Sequence, residues 1–265
     1  MLRKQVLKIL KATAFNTTIN HHFTHCKFLL NTYNHKGYWY HGKRREQETI
    51  NVFQKWVNQD DYVLEIGGHI GYFTTFYAKM VGENGKVDVF EPSDTNLYYL
   101  RKNIKYLPDS LSKNITVITK GAGDVNETLN FYIDPISGQN NSFVENFDGF
   151  VSSRKLSADD SVEVRVEKIE VVTLDSYFQN TNKYPDFVKI DVEGFEWNVL
   201  QGFRQTIAKA KPKIMVEIQS NANEIFDFFK SNNYRVLNDK LTEIIKFEDY
   251  SKLKTANIFF EPITK

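Results

Sequence analysis

The stretch KIDVEG, residues 189–194, sets Lys189, Asp191 and Glu193 at alternate positions. The preceding PDFV reads as a turn entering a buried strand. The following FEWNVLQGF has helical spacing at Phe195, Val199 and Phe203. Side chains alternate along a strand, so Lys189 and Asp191 share a face. A carboxylate there accepts the proton of a hydroxyl nucleophile, while the lysine holds the acid in orientation. Two alternatives stand beside this one. Asp191, Glu193 and Glu217 together supply enough oxygen ligands for a hard cation. The group also reads as a structural salt-bridge cluster, with Glu193 in the first turn of a helix. The expectation adopted is catalysis by Asp191, Glu193 and Lys189 without a metal.

A second junction, VLEIGGHIGYF, has Glu65, Gly67 and Gly71 in an acid-x-Gly-x-x-x-Gly spacing. Glycines allow a tight turn and close backbone approach to a ligand, and the following helix points its N–H groups at the same place. The offsets differ from the G-x-G-x-x-G fingerprint, which argues against a nicotinamide-dependent oxidoreductase. An acid on the strand repels a pyrophosphate and suits a cationic ligand. S-adenosylmethionine (SAM) carries a sulfonium and an ammonium and no phosphate. Glu91, in VFEP, lies 24 positions past Gly67; an acid about 20 positions past such a loop commonly holds ribose hydroxyls. Its alternative is a helix-terminal charge beside a Ser93 cap. In KGAGD, Gly121 and Ala122 are small enough for an adenine ring to lie flat, and Asp124 is placed to accept from its amino group. A plain turn serves equally well there.

These residues need elements to position them. EQETINVFQKWVN has helical spacing; DYVLEIGG is a short apolar strand and IGYFTTFYAKM a helix. KVDVFEP is a strand stopped by Pro92, SDTNLYYLRKNIKYL a helix and NITVITKGAG a third strand. TLNFYID and SVEVRVEKIEVV alternate as antiparallel strands. The polar segment between them is expected to be a long loop or lid over one end of the sheet. DFVKIDV and KIMVEIQ are further core strands, and YRVLN, TEIIKF and NIFFEP finish the chain as strands. Alternation of strand and helix from about residue 61 to 230 builds a mostly parallel sheet with helices on both faces. Ligands in such sheets lie outside the carboxyl ends of the strands, where the candidate residues fall.

The 265 residues carry 34 Lys and Arg against 33 Asp and Glu, a formal net charge of +1. That balance gives no support to a bulk nucleic-acid binder. A single cysteine, Cys26, excludes an intramolecular disulfide and fits a reducing compartment, so a cytoplasmic location is expected. No run of about 18 apolar residues suggests a membrane span. MLRKQVLKILKATAF reads as a basic amphipathic helix with Leu2, Val6, Ile9 and Leu10 inward, docked on the body or a partner. A weak peripheral membrane role for residues 1–15 is the alternative. His21, His22 and His25 lack the second ligand pair of a zinc site. HKGYWYHGKRRE, residues 35–46, sets aromatics among cations, which suits stacking on a sugar ring or simple packing on the sheet edge.

VLEIGGHIGYFT, VDVFEPSDTNLYYLRKNI, KGAGD, VTLDSYF and PDFVKIDVEGFEWNVLQG occur in this order. They resemble the FkbM family of SAM-dependent methyltransferases over roughly residues 36 to 219. The resemblance implies a Rossmann-like class I methyltransferase fold with a seven-stranded sheet, and SAM as cofactor. It also implies methylation of a hydroxyl, most often on sugars or glycosylated and polyketide metabolites. Members usually read DVGANIG where this chain has EIGGHIG, so His69 replaces an asparagine near the amino-acid end of SAM. The cofactor-binding set is then Glu65, Gly67, His69, Gly71, Glu91, Gly121, Ala122 and Asp124. The expected organisation is an N-terminal helical or loop extension over 1–45 and a methyltransferase domain over 46–265. The expected function is SAM-dependent O-methyl transfer to a small-molecule or glycan acceptor, most naturally a sugar or glycan precursor. A small secondary metabolite or lipid acceptor, or a non-catalytic binding module, stands as the alternative.

Overall fold

The computed structural model describes residues 2–134, 139–150, 164–250, 252–253 and 255–263. β1 (Asn16–Asn20) and β2 (Lys27–Asn31) form an antiparallel hairpin. β3 (Tyr62–Ile66), β4 (Lys86–Phe90) and β5 (Ile115–Ile118) follow. A second, three-stranded sheet holds β6 (Gly121–Ala122), β7 (Glu127–Ile133) and β8 (Arg165–Val172). β9 (Phe187–Ile190), β10 (Lys213–Glu217), β11 (Tyr234–Leu237) and β12 (Asn257–Pro262) complete the chain.

The main sheet has seven strands in the order β11-β12-β10-β9-β3-β4-β5. β12 alone runs antiparallel to its neighbours; the other pairings are parallel. This is the class I methyltransferase fold. Strand order reverses between β3 and β9, and such a switch point opens a crevice at the carboxyl ends.

Burial follows the two-residue strand period. Tyr62, Leu64 and Ile66, Val188 and Ile190, and Ile214 and Val216 join the core cluster under the helices Glu196–Gln201, Arg204–Ala210 and Ala222–Ser231. Val63, Phe187 and Met215 point the other way, into the cluster under Gln47–Trp56 and Tyr72–Val81. Both faces are therefore covered, as a parallel sheet requires. On the second face the apolar positions give way to charge toward the carboxyl end: Glu65 follows Val63, Lys189 follows Phe187 and Glu217 follows Met215. Alternation alone sends these three side chains to one face.

Three expectations need correction. The segment before residue 46 is not only helix and loop. β1 and β2 turn back on each other through His25, at φ 61°, and Phe28 and Leu30 pack with Ile70, Tyr72 and Tyr99. Val6 and Ile9 of the helix Leu2–Ala12 are exposed rather than turned inward. TEIIKF forms no strand; after a turn with Leu241 at φ 60°, only Glu243 bridges to Leu237. That bridge shields the outer edge of β11, an edge that otherwise invites pairing with another chain. Within the expected lid, 135–138 and 151–160 lie outside the described residues.

Candidate active site

A cavity of about 520 Å³ opens at the carboxyl ends of β3, β4, β9 and β10. The loop after β3 shapes its floor. Gly67 has φ 87°, and a Cβ there would lie 1.8 Å from the backbone oxygen of Asp191. Only glycine fits, and the chain between β3 and the helix Tyr72–Val81 thereby lies flush against the end of β9. Gly71, at φ 86°, is the residue before that helix; it sits behind the cavity wall, against Leu100.

Lys189 is the electrostatic centre. Its Nζ donates to Asp191 Oδ2 at 3.0 Å and to the Gly67 carbonyl at 3.1 Å, and lies 3.9 Å from Glu65 Oε1. Burial alone would lower the ammonium pKa, but Asp191 and Glu65 outweigh it and raise it above the ordinary lysine value. Glu65 is buried beside it and accepts from Thr74 Oγ1 at 2.5 Å. Burial pushes its carboxyl up to about 7, against the opposing pull of Lys189.

Three acids differ in state around this lysine. Burial would raise Asp191, but Lys189 and a hydrogen bond from Glu217 hold it below the usual carboxylate range. Glu217 is raised well above that range, first by the Asp191 charge and then by burial, so it is the proton donor of the pair. Glu193 is raised well above by burial and by Asp191. Its backbone takes φ 53°, and Ser142 Oγ donates to its carbonyl at 2.6 Å, tying the 139–143 segment to the cavity rim. Among the described residues no group of three His, Cys, Asp or Glu is arranged to hold a metal ion.

Glu91 lies at the end of β4. Its Oε2 accepts the His69 N–H at 2.7 Å, and its Oε1 accepts the Ser93 N–H at 2.9 Å and Asn96 Nδ2 at 3.3 Å. Burial pushes its carboxyl up to about 7 despite these donors. The Ser93 side chain makes no cap hydrogen bond; what Glu91 satisfies is Ser93's own backbone N–H. His69 has φ 47°, and burial keeps its ring neutral. Its Nδ1 is 3.4 Å from the Tyr38 hydroxyl, and its buried Nε2 has no hydrogen-bond partner.

A family model for the FkbM methyltransferase domain matches residues 65–236, well over half the chain. The chain belongs to the FkbM methyltransferase family. Hexuronic acid methyltransferase AglP of Haloferax volcanii is 24% identical over 208 residues, which are 78% of this chain and 76% of that protein. A crystal structure of methyltransferase FkbM from Methylobacillus flagellatus is 19% identical with a TM-score of 0.46; the match covers 76% of this chain and 43% of that one, less than half its length. A SAM-dependent methyltransferase structure from Aquifex aeolicus is 12% identical with a TM-score of 0.41, covering 83% of this chain and 90% of that one.

In this family member the cavity brings together Glu65, Gly67, His69, Glu91, Gly121, Ala122, Lys189, Asp191 and Glu193 of the residues singled out from sequence. Asp124 is not among them: it is exposed, and its carboxylate accepts Asn198 Nδ2 at 3.2 Å. Among the lining residues that went unassigned, three belong to one segment. Tyr38, Arg45 and Glu46 come from the segment at and before the expected domain boundary. Arg45 Nε donates to Glu46 Oε1 at 2.9 Å, and the guanidinium carbon lies 4.9 Å from the centre of the Tyr38 ring. The aromatic and cationic run at 35–46 was the available signal for them. Glu217 was visible as an acid at a strand end, but its role as Asp191's hydrogen-bond donor needed the register of β9 against β10.

Proposed function

We propose that this chain transfers the methyl group of SAM to a hydroxyl of a sugar or glycan precursor. The observation that carries the reading is geometric: Lys189 Nζ lies 3.0 Å from Asp191 Oδ2, and Asp191 and Glu193 line one cavity. Asp191 is held ionised, while Glu193, on the same rim, is raised toward neutrality. Pairs of acids whose surroundings push them apart are the usual mark of an assigned acid and base.

The cavity fits SAM on three counts. Six acidic side chains line it (Glu46, Glu65, Glu91, Asp191, Glu193, Glu217) beside three cations (Arg45, Lys120, Lys189); a cationic ligand favours the ionised forms of the acids whose pKa burial has raised and is held by them. The backbone at Gly67 lies close and bare, a cradle that a Cβ would fill. His69 Nε2 is a buried polar atom that lacks a partner and is available to one. Glu91 is the residue to hold the ribose hydroxyls, Gly121 and Ala122 the adenine, and the loop from Gly67 to His69 the amino-acid end. When bound, SAM supplies an electrophilic methyl group on a sulfonium.

The chain's own residues supply the rest. Glu193 in its ionised form accepts the proton of the acceptor hydroxyl; the surroundings that raise its pKa make that form a stronger base than an ordinary carboxylate, and the step speeds up as pH rises and ionises it. Asp191 stays anionic between Lys189 and Glu217 and orients the acceptor by accepting a second hydrogen bond. Tyr38 and Arg45 complete the wall, so the segment that carries them acts with the domain rather than apart from it. A sugar acceptor agrees with the hexuronic acid named for the Haloferax volcanii relative.

The test is S-adenosylhomocysteine formation by purified protein given SAM and a fractionated glycan extract. Turnover that follows one glycan fraction supports the reading. SAM binding without turnover on any acceptor supports a binding module instead.

A further inference from the structure

We infer that the N-terminal helix, with Phe15, Trp39 and Tyr40, docks the protein on an anionic lipid surface. The 11 residues of the helix, LRKQVLKILKA, contain Arg3, Lys4, Lys8 and Lys11 and no acid. Val6 and Ile9 are 54% and 65% exposed. None of the core clusters includes a residue of this helix. An isolated helix of this length is marginal in water, and most helical stability in proteins comes from covering an apolar face. Leu7 and Leu10 are half-buried, so Val6 and Ile9 are the large apolar side chains of this helix, among those described, that remain to be covered.

A second exposed group adjoins it. The Thr32 N–H donates to the Phe15 carbonyl at 3.0 Å, and the Phe15 N–H donates to Thr32 Oγ1 at 3.1 Å. Trp39 Nε1 donates to the Thr32 carbonyl at 2.9 Å. Phe15 and Trp39 thus flank one residue, and Tyr40 packs edge-on against Trp39 at 6.3 Å. Phe15 is 61%, Trp39 41% and Tyr40 73% exposed. Trp and Tyr are the side chains enriched where hydrocarbon meets headgroups, and a basic amphipathic helix is the element that lies in that plane.

Charge selects the occupant. A second copy of the helix would set cations against cations with no acid in its sequence to answer them, whereas anionic headgroups complement the helix's net positive charge. No helix among the described residues is long and apolar enough to cross a membrane, so the contact is with the surface alone. The same segment continues from Trp39 and Tyr40 to Arg45, which lines the cavity.

Full-length protein is mixed with vesicles of phosphatidylcholine, or of phosphatidylcholine with about 30 mol % phosphatidylserine, at low salt. Binding to the anionic vesicles is expected to be about tenfold stronger or more. Each cation near such a surface contributes roughly fivefold. Lys4→Glu/Lys8→Glu is therefore expected to weaken binding by about 25-fold or more, and Ile9→Glu by about tenfold or more, with melting temperatures unchanged. Equal or absent binding to both vesicle types overturns the proposal. So does concentration-dependent self-association that Ile9→Glu abolishes without any vesicle binding, since the face then belongs to a second copy. A large fall in melting temperature for Ile9→Glu also overturns it, because the helix is then packed on the body.

Discussion

Lys189 and Glu65 are register partners across β9 and β3, yet the lysine ammonium lies closer to Asp191, 3.0 Å against 3.9 Å. The charge is thus drawn along its own strand toward the cavity rather than straight across the sheet. Glu65 keeps a hydroxyl partner, Thr74, from the covering helix. One buried cation holds two carboxylates, and both line the cavity.

Removing that cation strands both. Lys189→Met is expected to cost about 3–5 kcal/mol, as breaking a buried pair by deleting one partner does. Denaturant melts should show a smaller loss in mild acid, because Glu65 there takes up a proton and ceases to be an uncompensated charge. An equal loss at every pH would show that packing, not charge, is what the lysine supplies.

Glu91→Ala should weaken SAM binding by about 1.5–3 kcal/mol, the range for a hydrogen bond to a charged group. It also leaves the His69 and Ser93 N–H groups without their acceptor. Calorimetry on Glu91→Gln separates the effects in part, since the amide oxygen keeps one of the two backbone N–H groups while the charge is gone. Unchanged affinity in both variants would remove Glu91 from the ribose role.

Glu196 gives the clearest pH signature. It is fully buried, its Oε1 accepts the Gly194 N–H at 2.7 Å, and its Oε2 has no partner. Burial pushes its carboxyl up to about 7 from an ordinary 4.5. The folded state therefore binds a proton that the unfolded state has lost between those values, and stability falls as pH rises through this window. Glu196→Gln should be more stable than the parent above pH 7 by about 1–3 kcal/mol, with the gap closing below about pH 4.5. Melting temperatures across the window check this; a gap independent of pH would contradict it.

The two-residue and 3.6-residue periods made the sheet and its covering helices legible. KIDVEG and EIGGHIG could be placed because each continues an apolar strand into charge or glycine. The hairpin was missed because NTTIN has little apolar contrast, and its pairing with KFLLN depends on a turn through His25. Arg45 and Tyr38 reach the cavity from far away in sequence, through packing of the hairpin on Tyr72 and Tyr99, which no local spacing records. Asp124 failed for the opposite reason. It follows a strand end, but Gly202 packs on the Gly123 carbonyl so closely that a Cβ there would sit 1.9 Å away, and the turn faces Asn198 and solvent.

The central claim is that Glu193 takes the acceptor proton while Asp191 stays anionic beside Lys189. Because that proton moves only in the transition state, its loss belongs in the chemical step and not in binding. The direct measurement is single-turnover methyl transfer and SAM affinity for Glu193→Gln and Asp191→Asn, with and without a chelator. Glu193→Gln is expected to bind SAM nearly as the parent does and to react about 10²–10⁴-fold more slowly, with the pH dependence of the step flattened and the chelator without effect. Full turnover by Glu193→Gln on the true acceptor, or a loss that the chelator reproduces and added Mg²⁺ reverses, would contradict the account.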